Sequence, residues 1–370
     1  MNSLIVAGFM SGTSMDGLDC CIAKISISAS KKLNYKIIAQ KSFYFDDDLK
    51  TIIKKHIGKT DVFHINQINE YLGRKFLTLS KDFLSKYSFD CISLHGQTIH
   101  HRDKIRTIQV GSPLYMASYF KVPIIYNFRQ GDIDLGGSGA PLMPFLDWLI
   151  FKDSEKNILT LNLGGISNIS FIPKNCNRNQ VLGFDTGPGM CLIDQFTYKF
   201  WSEDYDKDGR YSMEGSIDSL ILDYLIKNTP FIDKPIPKST GREQFSLSFI
   251  DKVIREFKNS KKTDILRTLI KFTSVSIKRN IENFVYNQSK VDQLIVSGGG
   301  FYHPVLMSDI KKDLDIPIVN IIDYGIELKF KESLLMAVLG YARIKNINSN
   351  MPSVTGSLKN ISLGEVCEFE

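Results

Sequence analysis

The sequence predicts an α/β protein of two lobes built on mixed sheets, with its functional site in a cleft between them. Three observations carry that expectation. The chain has 370 residues, against roughly 150 per domain, so two domains with full-sized cores are expected. Short β-rich runs alternate with stretches of helical spacing along the whole length. The chain also opens on a glycine-turned β-hairpin, and a second round beginning near residue 158 repeats it. The lobes are expected at residues 1–135 plus 346–370 and at 136–345.

The elements follow in order. Residues 4–10 read as a strand, 11–17 as a turn, and 18–28 and 35–45 as the returning strands of an antiparallel meander. Phe63, Ile65, Ile68, Tyr71, Leu72, Phe76, Leu79 and Phe83 give residues 61–87 a helical spacing. Residues 91–94 and 122–126 are short strands. Gly136, Gly137, Gly139, Pro141 and Pro144 break the chain, marking the lobe crossing or a functional loop. The second hairpin then runs 158–163, a Gly164-Gly165 turn and 166–172. A strand at 182–185 ends in Thr186-Gly187-Pro188-Gly189, followed by a helix at 191–200. Helical spacing returns at 246–257, 265–286 and 332–344, and strands at 293–297 and 317–322.

Composition narrows the class. With 43% hydrophobic and 23% charged residues, disordered and fibrous chains are excluded. The balance of 46 basic and 40 acidic residues gives +6. The basic residues are scattered, so an anionic small molecule is the expected partner and nucleic acid is not. Six cysteines without CxxC spacing or a cysteine–histidine cluster point to a reducing, cytoplasmic setting and away from zinc. The apolar run 4–10 lacks a preceding basic residue, and 140–151 is broken by Pro141, Pro144 and Asp147. Neither a signal peptide nor a membrane span is expected. The oligomeric state stays open, a homodimer included.

Three glycine segments carry the chemistry. Gly12, Thr13, Ser14, Met15, Asp16 and Gly17 form the first hairpin turn, where glycine lets backbone N–H groups approach an anion and hydroxyls add donors. An ordinary hairpin turn has the same composition. Gly164 and Gly165 repeat the logic, and two such turns opening two lobes could clamp a triphosphate between them. Gly298, Gly299 and Gly300 end an apolar strand, where a flat ring or ribose can lie against backbone. No GxGxxG or GxxxxGK[ST] pattern occurs.

Asp185 sits where a strand meets a rigid turn, a usual place for a catalytic carboxylate. The alternative is a helix cap, open to Asp185 or Thr186. His95-Gly96-Gln97-Thr98 follows the strand 91–94 and offers polar groups to a sugar, or holds a buried histidine satisfied by backbone. Arg129, and the Lys238-Ser239-Thr240-Gly241-Arg242-Glu243 segment, present cations suited to a carboxylate or phosphate, though a surface salt bridge is the common fate of an arginine. Glu332 opens a helix, where the dipole favours an acid.

Taken in order, Gly8 to Gly17, His95 to Thr98, Gly139 to Leu142, Leu161 to Asn168, Phe184 to Gly189, Pro237 to Glu243, Gly298 to Gly300 and Ser353 to Gly356 resemble the anhydro-N-acetylmuramic acid kinase family over essentially the whole chain. The resemblance implies the actin, hexokinase and Hsp70-like (ribonuclease H-like) fold. It further implies that Gly12 to Asp19, with Leu18 and Asp19 included, is the first phosphate loop, that Leu161 to Asn168 is the second, and that Val296 to Gly300 is the adenosine segment. By the same resemblance Asp185 matches the catalytic aspartate, and Thr98, Arg129 and Glu332 match segments lining the sugar site. The implied reaction opens a 1,6-anhydro amino sugar with water and phosphorylates the 6-hydroxyl from ATP with Mg²⁺, in cell-wall recycling. The magnesium ligands are not identified by the sequence. Four positions depart from the family pattern: Leu94, Met190, Phe301 and His303. Met190 stands nearest the chemistry, in place of an asparagine that follows Gly-Pro-Gly. Two alternatives stay open, a levoglucosan-type anhydro sugar kinase and a non-catalytic, nucleotide-gated binding protein of the actin kind.

Overall fold

The computed structural model describes residues 3–12, 15–241 and 243–369. The chain divides into two compact units, one of Met1–Ile150 with Phe330–Glu370 and the other of Phe151–Lys329. Thr13, Ser14 and Arg242, singled out by the sequence, lie outside the described residues.

The first unit begins with the meander β1 (Leu4–Ser11), β2 (Gly17–Ile27) and β3 (Leu33–Tyr44). It continues through α1 (Asp47–His56), α2 (Val62–Leu84), β4 (Cys91–Arg102), β5 (Arg106–Val110), α3 (Leu114–Phe120), β6 (Ile124–Tyr126), α4 (Gln130–Ile133) and α5 (Met143–Phe151). The second unit holds β7 (Ile158–Leu163), β8 (Ile166–Ile172), β9 (Leu182–Pro188), α6 (Cys191–Trp201), α7 (Ser219–Lys227), α8 (Leu247–Glu256), α9 (Lys262–Phe284), β10 (Gln293–Ser297), α10 (Pro304–Leu314) and β11 (Ile318–Asn320). The chain then rejoins the first unit with α11 (Lys331–Ile344), α12 (Pro352–Thr355) and β12 (Glu365–Cys367).

Both sheets share one plan. In the first, the order β12-β6-β4-β1-β2-β3 contains an antiparallel meander extended by parallel β4 and β6, with β5 added on β4. In the second, β11-β10-β7-β8-β9 repeats the meander and its two parallel extensions. Each first hairpin therefore lies in the middle of its sheet, beside the first parallel strand, where loops at the strand ends converge.

Local chemistry starts the elements and burial holds them. Asp61 caps α2 by accepting from the His64 N–H at 3.1 Å, and the helix buries Ile68, Leu72, Phe76 and Phe83 against the first core, each worth roughly 1.5–3 kcal/mol. The sequence reading placed residues 332–344 in the second lobe. The helix there, α11, packs instead on β1, β2 and β4: a Cβ at Gly8 would run into Ser333 O and Ala337 N, and Ser93 Oγ donates to Met336 O. Strand β4 also runs on through His95 to Thr98, where the sequence reading ended it at residue 94.

Candidate active site

In the second unit, the turn between β7 and β8 is locked from its carbonyl side. Gly164 O accepts from the Met190 N–H at 2.8 Å, and Gly165 O from the N–H groups of Gly189 (2.9 Å) and Cys191 (3.1 Å). A Cβ at Gly189 would collide with Gly164 O, so that glycine is required for the lock. With the carbonyls occupied, contact with an anion would fall to the turn's N–H groups.

The triple glycine serves two purposes. Gly298 has φ +89°, and a Cβ there would lie 2.6 Å from the Leu163 carbonyl, while one at Gly300 would lie 2.8 Å from Leu163 Cβ and 2.9 Å from Met190 Sδ. These two glycines let β10 close onto the hairpin. Gly299 has nothing within 4 Å of its would-be Cβ. It lines a cavity of about 360 Å³ with Gly298, Tyr302, Ile322, Glu327, Leu328 and Lys329, a surface on which a flat base or ribose can rest. Met190, the departure nearest the expected chemistry, turns toward Gly300 and the core. His303, another departure, caps α10: its Nδ1 accepts from the Leu306 N–H at 3.3 Å and its Nε2 lies 3.3 Å from Asp206 Oδ2.

Asp185 is half-buried on β9, which extends to Pro188 beyond the predicted end. The ladder to β8 shifts register here, pairing Asn168 with Asp185 and Ser167 with Gly187. This bulge leaves Thr186 as the extra residue. Thr186 turns inward to Ser167 Oγ, its carbonyl accepting from Ser276 Oγ and Asn280 Nδ2. Asp185 Oδ2 accepts from the Thr240 N–H at 2.8 Å. Neither residue caps α6, whose cap is Met190. The sequence reading missed Thr240 as the partner of this acid, because no local pattern links positions 55 residues apart.

In the first unit, the hairpin turn is braced by Gln97. Its Oε1 accepts from Ser11 Oγ at 2.6 Å and its Nε2 donates to Gly12 O at 3.2 Å. Met15 adopts φ +59° and its N–H donates to Gly12 O. Asp16 is exposed, Gly17 lies against the Phe43 carbonyl, Leu18 is buried, and Asp19 Oδ1 accepts from Ser42 Oγ at 2.5 Å. Thr98 is half-buried, its Oγ1 accepting from Gln109 Nε2.

Arg129 is fixed at two points, its Nε donating to His95 Nε2 at 3.0 Å and its Nη1 to Gly139 O at 2.9 Å. Desolvation lowers its pKa to about 10, against the pull of Glu332. His95 donates from Nδ1 to Gly96 O at 2.8 Å, and burial together with Arg129 holds its pKa down at about 3. The ring is therefore a neutral acceptor for the guanidinium. Glu332, at the start of α11, has side-chain access to solvent, yet dense surroundings raise its pKa, with Arg129 lowering and Asp19 raising it. The fold thus gathers Arg129, Glu332 and Asp19 from three distant segments. Lys238, read from sequence as a cation for an anionic ligand, is buried, its ammonium turned toward Phe231 O and Ile232 O.

A duplicated meander sheet, with a glycine hairpin opening each copy and an acid on the second meander, belongs here to an ATP-dependent sugar kinase, the class that the chain's relatives define. The chain belongs to the anhydro-N-acetylmuramic acid kinase family, whose model matches residues 4–368. It is 35% identical to an anhydro-N-acetylmuramic acid kinase of Francisella tularensis subsp. novicida (strain U112), over 98% of both chains. It is likewise 35% identical to one of Clostridioides difficile (strain 630), over 97% of both. Among solved structures it is similar to the ligand-bound xylulose kinase from Lactobacillus acidophilus, with a TM-score of 0.47 and 10% identity over 99% of this chain and 94% of that one.

Proposed function

We infer that this protein is an anhydro-N-acetylmuramic acid kinase. It uses ATP to open the 1,6-anhydro ring and leaves the phosphate on the 6-oxygen, giving N-acetylmuramic acid 6-phosphate and ADP for cell-wall recycling. The observation that carries the reading is family membership across nearly the full chain, joined to an acid, Asp185, held by a backbone N–H on a bulged strand.

The phosphate chain of the nucleotide is assigned to the first hairpin, Gly12 to Asp19, and to Gly164 and Gly165; its adenosine is assigned to Gly298, Gly299 and Gly300. The sugar is assigned to Thr98, Arg129 and Glu332. Arg129 supplies the cation that a lactyl carboxylate needs, a demand a levoglucosan-type substrate would not make. Among the described residues no group of three or more histidine, cysteine, aspartate or glutamate side chains forms a metal cage. Mg²⁺ would ride on the nucleotide phosphates and need few protein carboxylates. Asp16 and Asp19 on the first hairpin are the carboxylates that would hold it, and it would neutralise charge on the transferred group. A reducing cytoplasm suits six cysteines without CxxC spacing.

An anhydro sugar has no free 6-hydroxyl, so its bridge must break. Asp185 takes a proton from water as that water's oxygen bonds to the anomeric carbon, in the manner of an inverting glycosidase base. The bond from that carbon to the 6-oxygen breaks, and the departing oxygen takes the phosphoryl group. Turnover in ¹⁸O-labelled water tests this step. Label is expected in the anomeric hydroxyl and absent from the phosphate; label in the phosphate would overturn it.

A further inference from the structure

Lys238 places an ammonium inside the protein where no substrate can use it. Nζ donates to Phe231 O at 3.2 Å and Ile232 O at 2.7 Å. It lies 4.8 Å from the ring centre of Phe284, 5.0 Å from that of Phe231 and 5.8 Å from that of Phe184. The residue is 6% exposed. Holding a cation there is unfavourable unless it is hydrogen-bonded and faced by aromatic rings, and an apolar residue of the same length would fill the cage without that penalty. The charge therefore needs a reason, and the neighbouring backbone supplies one.

The segment that starts at Lys238 grips Asp185. The Asp185 N–H donates to Lys238 O at 3.4 Å, and two residues on, the Thr240 N–H donates to Asp185 Oδ2 at 2.8 Å. Phe184, which forms one wall of the cage, immediately precedes Asp185 on β9 and points to the opposite face of that strand. Asp185 is thus held from in front by Thr240 and from behind through Phe184, and both holds meet at one side chain.

We propose that Lys238 is a positioning residue for Asp185: its ammonium ties the 238–240 segment to the Phe231 and Ile232 carbonyls, and so fixes the backbone N–H that orients the Asp185 carboxylate. Burial pushes its pKa down to about 8, with Asp233 and Asp185 opposing that fall, in keeping with a charge retained for its hydrogen bonds. The inference rests on Asp185 being the base.

Steady-state kinetics of Lys238→Met, Lys238→Arg and Asp185→Asn test it. Lys238→Met keeps the stem and loses the donors. Its kcat per folded molecule should fall by about 10- to 100-fold, the scale of a small displacement of a catalytic group, with KM for ATP and sugar within about 3-fold of wild type. Lys238→Arg should recover part of the loss. If Lys238→Met does not fold, Lys238→Ala supplemented with propylammonium replaces it. Turnover should then rise with the added amine and not with tetramethylammonium, which enters an aromatic cage but cannot donate a hydrogen bond. Wild-type kcat in Lys238→Met beside an inactive Asp185→Asn would overturn the role of Lys238 alone, as would equal recovery with either cation. An active Asp185→Asn would overturn the assignment of the base.

Discussion

His95 accepts a hydrogen bond from Arg129, with Nε2 3.0 Å from the guanidinium Nε, while its own Nδ1 donates to the next residue's carbonyl. The pair makes a histidine serve as a fixed acceptor for a cation. This works only while the ring is neutral, since a protonated ring would present an N–H to the N–H of the guanidinium.

The neutral ring makes a pH prediction. In the folded chain His95 takes a proton only near pH 3, whereas in the unfolded chain it does so near 6.5. Between those values the unfolded chain holds the extra proton, so stability falls as pH drops from about 6.5 toward 3, by up to about 1.4 kcal/mol per unit. Urea melts at pH 7.5 and pH 5 should therefore differ more for wild type than for His95→Gln. Equal differences would remove His95 as the source.

Gly299 and Gly298 should separate binding from folding. A valine at 299 meets no protein atom within 4 Å of its Cβ and projects into the cavity, so ATP affinity should drop by about 10-fold or more, at least 1.4 kcal/mol, with little change in melting temperature. A valine at 298 would meet the Leu163 backbone in a positive-φ position, so the unit itself should destabilise. Calorimetric titration with ATP and thermal melts of both variants read the contrast, and unaltered ATP affinity in Gly299→Val would count against the adenosine assignment.

Gly189→Ala should damage both. Its methyl would collide with Gly164 O and break the lock on the second hairpin. Overpacking at such a site costs roughly 1–3 kcal/mol, and weaker ATP binding should accompany the lower melting temperature. A variant with native stability and affinity would show that the lock is dispensable.

Glu332 and Arg129 should be coupled in the pH profile. Desolvation raises the Glu332 pKa and Arg129 restrains the rise. If the carboxylate is the working form, activity falls as pH drops through that raised value. Arg129→Gln should then move the acid limb of kcat/KM to higher pH as well as raise KM for the sugar. An unmoved limb in this variant would uncouple the two residues.

Much of the molecule could be read from the sequence, because local chemistry writes it there. Glycine pairs between apolar runs mark the two hairpins, a 3.6-residue apolar period marks α2 and α9, and the ordered motifs identify the family. Several features were settled only by tertiary structure. The polar His95 to Thr98 stretch reads as following a strand that ends at residue 94, yet β4 continues through it, paired with Ser11 of β1 and with Gln109 and Val110 of β5, while the Gln97 amide bonds Ser11 and Gly12, partners some 85 residues away. Lys238 reads as a loop cation open to an anionic ligand and is instead buried by rings from three separate segments. Helix α11 reads as part of the lobe that precedes it and instead packs on the first strand of the chain, where Gly8 lets it approach. The physical reason is the same in each case. A side chain's own polarity and spacing set its local conformation, but whether a polar group can be buried depends on partners that only the folded backbone brings within hydrogen-bonding distance.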